Sequence, residues 1–128
     1  MKQLKEWLTS CASYVGSNLS YTYATDMFVS QMPTEPPDCI ALIPAGGPRI
    51  VGSPMEFSHL QVLVRHPDPE EAITRVTSIH ALFDNKWCAL SPTFCGRFYA
   101  NHEPGAHICD ENGHAVYSLN YTFARVRQ

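Results

Sequence analysis

The segment from residue 57 to residue 83 limits the fold of this chain more than any other part of it. Between residues 59 and 65, every second position is apolar, which predicts a strand with one face in a core. The positions on that face are Leu60, Val62 and Val64. Pro67 ends the strand because proline has no N–H to donate to a sheet.

A helix is predicted directly after this strand. Asp68 is a good helix N-cap, Pro69 fits the first helical position, and Glu71 is placed to reach back as in a capping box. The apolar positions that follow are spaced as one stripe of a helix, namely Ala72, Val76, Ile79 and Phe83. A strand and a helix joined by so short a link must pack against each other.

The bulk composition predicts one folded domain over residues 1–128. The chain is 45% apolar and 16% charged, as in globular domains rather than disordered chains. No apolar run approaches the roughly 18 residues that a membrane helix needs. The N-terminal residues include Glu6 and lack the apolar centre of a secretory signal, so we expect synthesis in a cytoplasm and no membrane partner.

Charge and cysteine usage exclude two further classes of protein. The formal net charge is −3, and the nine Lys and Arg residues are dispersed, whereas nucleic-acid binders cluster such charges. Tight binding of DNA or RNA is therefore not expected. The five cysteines are an odd number without paired spacing, which predicts reduced and mostly buried thiols.

The remaining pattern predicts an α+β fold, with two helices packed on a mainly antiparallel sheet. A first helix is expected over residues 2–15, ended by Gly16. Further strands are expected over residues 27–29, 39–43, 94–100, 104–109 and 115–123. Asn112-Gly113 predicts a tight hairpin turn before the last of these. The segment 45–55, rich in Gly and Pro, is a long loop of the kind that often carries function.

No active site is predicted, and no cofactor. The strongest metal candidates are clustered late in the chain, at His102, His107, Cys109, Asp110 and His114. His107 and Cys109 would share a strand face, with His114 across the hairpin, but no paired metal-ligand spacing is present. The alternative is that Cys109 is a core residue and the histidines lie at the surface or in loops. Cys95 is better explained as a buried thiol than as a nucleophile.

The order of these motifs resembles the tail terminator (tail completion) proteins of long-tailed bacteriophages. The resemblance is carried by the Pro-Pro-Asp segment at residues 36–38, the Leu-Gln-Val-Leu-Val-Arg strand at residues 60–65 with its helix, and the Asp-Glu-Asn-Gly turn into the last strand. It implies a subunit of a homohexameric ring on the head-proximal end of the tail tube. Such a ring stops tube polymerisation and docks the head connector, or stopper, protein.

The resemblance also implies a place in the virion, at the neck of the tail, after assembly in the host cytoplasm. Genomic DNA would pass through the ring without tight binding, which fits the acidic net charge. We expect the loop 45–55 and the central strand to contact other subunits or the tube, with Arg49, Met55 and Arg65 as candidate interface residues. For Arg65, a strand-end charge in solvent is an equal alternative.

Two other functions stay open at this point. A different ring protein of the neck or tail, such as a head-to-tail joining protein or a tail-tube subunit, would share the fold class. A small metal-dependent enzyme would use the histidine and cysteine group of residues 102–114.

Overall fold

The described part of the chain consists of two helices and one sheet. The computed structural model describes residues 2–33, 36–44, 55–90, 95–101, 108–109 and 113–126. The helices are α1 (Lys2–Leu19) and α2 (Pro69–Phe83). The strands are β1 (Met27–Val29), β2 (Cys39–Pro44), β3 (Met55–His66), β4 (Lys86–Ala89), β5 (Cys95–Ala100), β6 (Ile108–Cys109) and β7 (Ala115–Val126). The predicted α+β class is confirmed.

The sheet is mostly antiparallel and is built around its two longest strands. Six strands lie in the order β1-β2-β3-β7-β5-β4, and β6 pairs with β7. β3 and β7 are paired along their whole length, from Met55 opposite Val126 to His66 opposite Ala115. β1 runs parallel to β2, and the other pairs are antiparallel. β1 and β4 are therefore the two ends of the strand order.

Both helices cover the same face of the sheet. The predicted stripe of α2 is buried in full, at Ala72, Val76, Ile79 and Phe83. α1 contributes its own buried stripe of Trp7, Leu8, Cys11 and Val15 to the same hydrophobic cluster. The sheet contributes the predicted face of β3, which is Leu60, Val62 and Val64. One core between helices and sheet accounts for the fold.

Aromatic rings fill the centre of this core. Phe98 lies with its ring centroid 4.6 Å from those of both Phe83 and Phe123, and Phe83 lies 5.3 Å from Tyr121. These tilted contacts are the geometry that aromatic pairs favour over face-to-face stacking. Three strand residues and the last turn of α2 thus hold each other in place.

The end of α1 differs from the prediction. The helix continues through Gly16 to Leu19, and Ser20 takes the left-handed conformation that ends it, with φ of 62°. A Cβ on Gly16 would lie 2.9 Å from the carbonyl oxygen of Tyr21. Gly16 is therefore needed for the close approach of the chain that leaves the helix, and it does not act as the stop signal.

The start of α2 confirms the cap and corrects the capping box. The carboxylate of Asp68 accepts a hydrogen bond from the Glu70 backbone N–H at 3.1 Å. The Asp68 N–H donates to Nδ1 of His66 at 2.9 Å, which is the role expected for Glu71. Glu71 instead places Oε1 3.7 Å from Nε of Arg75, one turn later.

One strand was absent from the sequence prediction. β4 buries only Cys88 and exposes its other three residues, so it has neither the alternation nor the apolar run that predicts a strand. Of the strand predicted at residues 104–109, Ile108–Cys109 are confirmed and the rest lie outside the described residues. Gly113 adopts the positive φ, 79°, that the predicted turn requires. No helix of the described part is long and apolar enough to span a membrane.

Candidate assembly surfaces

Arg65 is a buried side chain that the fold itself uses. It is 5% exposed, on the face of β3 that lies away from the helices. Its guanidinium donates to the carbonyl oxygens of Pro33 at 2.6 Å, Pro36 at 2.7 Å and Pro37 at 3.3 Å. It also contacts Sγ of Cys39, its neighbour on β2, at 3.4 Å.

These contacts match the chemistry of a proline-rich segment. Proline has a carbonyl acceptor and no N–H donor, whereas a guanidinium has five donors and no acceptor. Arg65 thereby fastens the segment before β2 to the sheet. The alternative that Arg65 is a solvated strand-end charge is wrong, and its place in a subunit or tube interface stays a prediction.

The three candidate interface residues do not form one site. Arg49 lies outside the described residues, as does the loop around it. Met55 opens β3 opposite Val126, and Arg65 lies near the other end of the same strand. Ten residues of strand at about 3.3 Å each separate Met55 from Arg65 by about 33 Å. The two residues therefore belong to opposite ends of the sheet and cannot contact the same small surface of a partner.

The candidate metal group falls mostly outside the described part of the chain. His102, His107 and Asp110 are not described. The backbone of Cys109 pairs with Ala115, and His114 is half-buried just before β7. Within residues 2–33, 36–44, 55–90, 95–101, 108–109 and 113–126, no three His, Cys, Asp or Glu side chains come together to hold a metal. The metal hypothesis stays untested at the residues that carry it.

The described thiols are structural. Cys11, Cys39 and Cys88 are buried and unbridged, as predicted, and Cys95 is half-buried. Burial raises the pKa of the Cys11, Cys39 and Cys88 thiols, so these groups are protonated and poor nucleophiles at neutral pH. A hydrogen bond with Cys88 is the first cause that raises the pKa of Tyr14 to about 12. Cys11, Cys39 and Cys88 are therefore core side chains.

A large groove lies between α1 and the β1 edge of the sheet. Its volume is about 980 Å³. Along α1 it is lined by Lys5, Leu8, Thr9, Ala12, Ser13, Gly16 and Ser17, and on the other side by Tyr21, Tyr23, Met27, Val29, Ser30 and Pro44. Tyr23 is 62% exposed at its rim. We call this feature the α1–β1 groove.

The opposite edge of the sheet carries exposed aromatic side chains. Trp87 on β4 is 63% exposed, and Tyr99 on β5 is 45% exposed. Trp87 pairs with Arg97, which lies two residues before Tyr99, so all three share the face away from the helices. Arg97 donates from Nη1 to the Asn85 carbonyl at 3.0 Å. We call Trp87, Arg97 and Tyr99 the Trp87 patch.

Sequence reasoning missed both surfaces. The α1 residues that line the groove include the polar side of an amphipathic helix, which is ordinarily solvated. Trp87 stands in a strand that the pattern does not predict. The only signal available was a tryptophan between Lys86 and Cys88, four residues after the end of a predicted helix.

Comparison with known proteins identifies a family. The model of a family described as bacteriophage tail terminator protein matches residues 14–127, nearly the whole chain. A search of curated proteins returned no match. The matched range includes every strand of the sheet and α2.

Proposed function

Because this chain belongs to the bacteriophage tail terminator family, a family of structural virion proteins, we propose that six copies form a ring on the head-proximal end of the tail tube. The ring ends tube polymerisation and presents the surface on which the head connector, or stopper, protein docks. The family match over residues 14–127 is the observation that carries this proposal.

The physical character of the subunit supports a ring through which DNA passes. Its net charge is −3, and its cations are dispersed along the sequence. Proteins that bind a nucleic-acid backbone tightly cluster Lys and Arg side chains on one surface. A lumen lined by such subunits would let genomic DNA slide without holding it.

The two ends of β3 are proposed to serve different partners. Met55, which follows the loop in sequence, lies at one end of β3, and the segment fastened by Arg65 lies at the other. We assign the loop to contacts with the tail tube. Arg65 contributes at the other end by holding the segment around Pro36 and Pro37 in place.

The test is a capping experiment with the tail-tube protein of the same virus. Purified chain is added to growing tubes, and the products are followed by light scattering and electron microscopy. Rings seated on tube ends that stop growth are the expected result. Long tubes formed by this chain alone would indicate a tube subunit, and a monomer that leaves tube growth unchanged would overturn the proposal.

The loop assignment has its own test. A variant lacking residues 46–52 is expected to form rings and to fail in capping tubes. Unchanged capping and unchanged tail length would show that the loop is not a tube contact.

A further inference from the structure

We propose that the Trp87 patch of one copy occupies the α1–β1 groove of the next copy, and that this contact closes the ring. The inference rests on the proposed ring function, for which it names the interface. It begins from the strand order, in which β1 and β4 are the two ends. The groove lies at one end and the patch at the other.

The positions of the two surfaces fit a head-to-tail contact. Five strand spacings of about 4.8 Å place β1 and β4 about 24 Å apart across the sheet. Groove and patch therefore cannot meet within one copy. A contact between two different surfaces is heterologous, and heterologous contacts are the kind that generate rings.

The chemistry of the groove suits an indole ring. Tyr21, Tyr23 and Val29 are the apolar lining residues with exposed surface, while Ser13 and Ser17 add hydroxyl groups along α1. A buried tryptophan needs apolar contact for its rings and an acceptor for its N–H, and this lining offers both. Of the exposed large apolar residues in the described part, Trp87 has the largest exposed fraction.

Charge favours the same orientation. Glu6 precedes Ser13 by seven residues and so shares its face of α1, and Asp26 lies in the turn before β1. Lys5 itself lines the groove, and Glu71 and Arg75 also act on the lining residue Tyr21, so with Glu6 and Asp26 the groove end carries three carboxylates and two cations. The patch end carries the reverse balance, with Lys86, Arg97 and Asp84. Complementary rim charges orient an encounter more than they strengthen it.

The contact uses side chains rather than an added strand. The turn before β1 folds onto that edge, since the Ala24 N–H donates to the Met27 carbonyl at 2.8 Å. The Met27 N–H is directed at the Thr22 carbonyl, 3.3 Å away. The backbone groups that another strand would use are thus already engaged at Met27, and the groove beside them is what remains open.

Two single variants test the two halves of the contact. Trp87→Ser removes the aromatic ring, and Ser13→Arg places a bulky cation in the groove at an exposed helix position. Each is expected to weaken association by about 30-fold or more per contact, as for a tryptophan at the centre of an interface. Ile73→Ser is the matched control, because Ile73 is 52% exposed on α2 and belongs to neither surface. It is expected to leave ring formation unchanged.

Mixing the two variants tests the head-to-tail pairing. Trp87→Ser retains an intact groove, and Ser13→Arg retains an intact Trp87 patch. An equimolar mixture therefore has one working contact per pair, so it should form dimers and no rings. Analytical ultracentrifugation, with circular dichroism to confirm folding, distinguishes the species. A mixture that remains monomeric, or variants that form rings alone, would overturn the inference.

Photocrosslinking separates this inference from the proposed function. A benzophenone side chain at position 87 is expected to crosslink to residues 8–17 of a second copy in rings assembled with tube ends. Crosslinks to tube protein instead would overturn the groove contact while leaving the ring function intact. If the unmodified chain neither forms rings nor caps tubes, the proposed function itself fails.

Discussion

Replacing Arg65 with methionine tests how far one buried guanidinium holds the fold together. Methionine keeps an unbranched apolar stem of similar reach up to Nε and removes the guanidinium group with its donors. The two shortest hydrogen bonds, 2.6 Å to Pro33 and 2.7 Å to Pro36, are charge-assisted, and each contributes about 1.5 kcal/mol or more. Relief of the desolvation of a buried charge offsets part of this loss. We expect a net destabilisation of about 2–4 kcal/mol.

The assay is urea unfolding at equilibrium, followed by tryptophan fluorescence and circular dichroism. For a chain of this size, about 3 kcal/mol corresponds to a fall in melting temperature of about 10 °C. Arg65→Lys keeps the charge but presents a single nitrogen, so it should recover less than half of the loss. Arg75→Met is the matched control, because its ion pairs with Asp38 and Glu71 are longer and more exposed.

The control variant should change stability by about 1 kcal/mol or less, as exposed ion pairs do. If Arg65→Met lowered the free energy of unfolding no more than Arg75→Met, the buried hydrogen bonds of Arg65 would add nothing to stability beyond an exposed ion pair. If Arg65→Lys matched the original chain, the fork geometry of the guanidinium would be irrelevant. Either result would refute the argument that the proline segment needs the several donors of the Arg65 guanidinium to bind its carbonyl oxygens.

Three further changes test the core and its ionisation. Gly96→Ala would press a Cβ against the Ala124 carbonyl and lower the unfolding free energy by about 2–3 kcal/mol. The Cβ of Gly113→Ala would meet only open space, so that variant should lose about 1 kcal/mol because of its positive φ alone. Thermal unfolding measures both, and equal losses would contradict this. Phe83→Ala removes a fully buried ring and should lose about 3–5 kcal/mol in urea unfolding, and a loss below 1 kcal/mol would contradict the packing described. Burial raises the pKa of the Tyr121 hydroxyl, so the protonated tyrosine stabilises the folded state fully below the pKa of the unfolded chain, about 10, and this stabilisation is lost as the pH rises above it. In unfolding experiments at alkaline pH, Tyr121→Phe should therefore show a smaller fall of the unfolding free energy with pH. An unchanged slope would contradict this.

The central strand and helix were predictable because local pattern and tertiary packing agree there. Leu60, Val62 and Val64 alternate along β3, and the stripe of α2 faces them across one short link. The end of α1 was not predictable, since Gly16 is a good stop signal by itself. Only the return of the chain at Tyr21 makes glycine a packing requirement within the helix.

Arg65 shows the same limit for a single side chain. A charged residue at the end of an alternating strand is ordinarily solvated, and nothing local predicts its burial. Its acceptors lie 28 to 32 residues away in sequence, in a segment that lacks a regular pattern. The edges of the sheet are a further case. The sequence does not show that Trp87 and Ser13 lie near opposite edges of the sheet, because this depends on the strand order.

The arrangement of the sheet links the proposed contacts into one geometry. A ring closed through the α1–β1 groove and the Trp87 patch would run across the strands, from β1 of each copy to β4 of its neighbour. The ends of β3, about 36 Å apart, are then left uncovered by ring closure. Met55 lies at one of these ends and Arg65 near the other. The proposed contacts with its own copies, a tube and a head connector would need three separate surfaces, and the edges and ends of this sheet would supply them along two perpendicular directions.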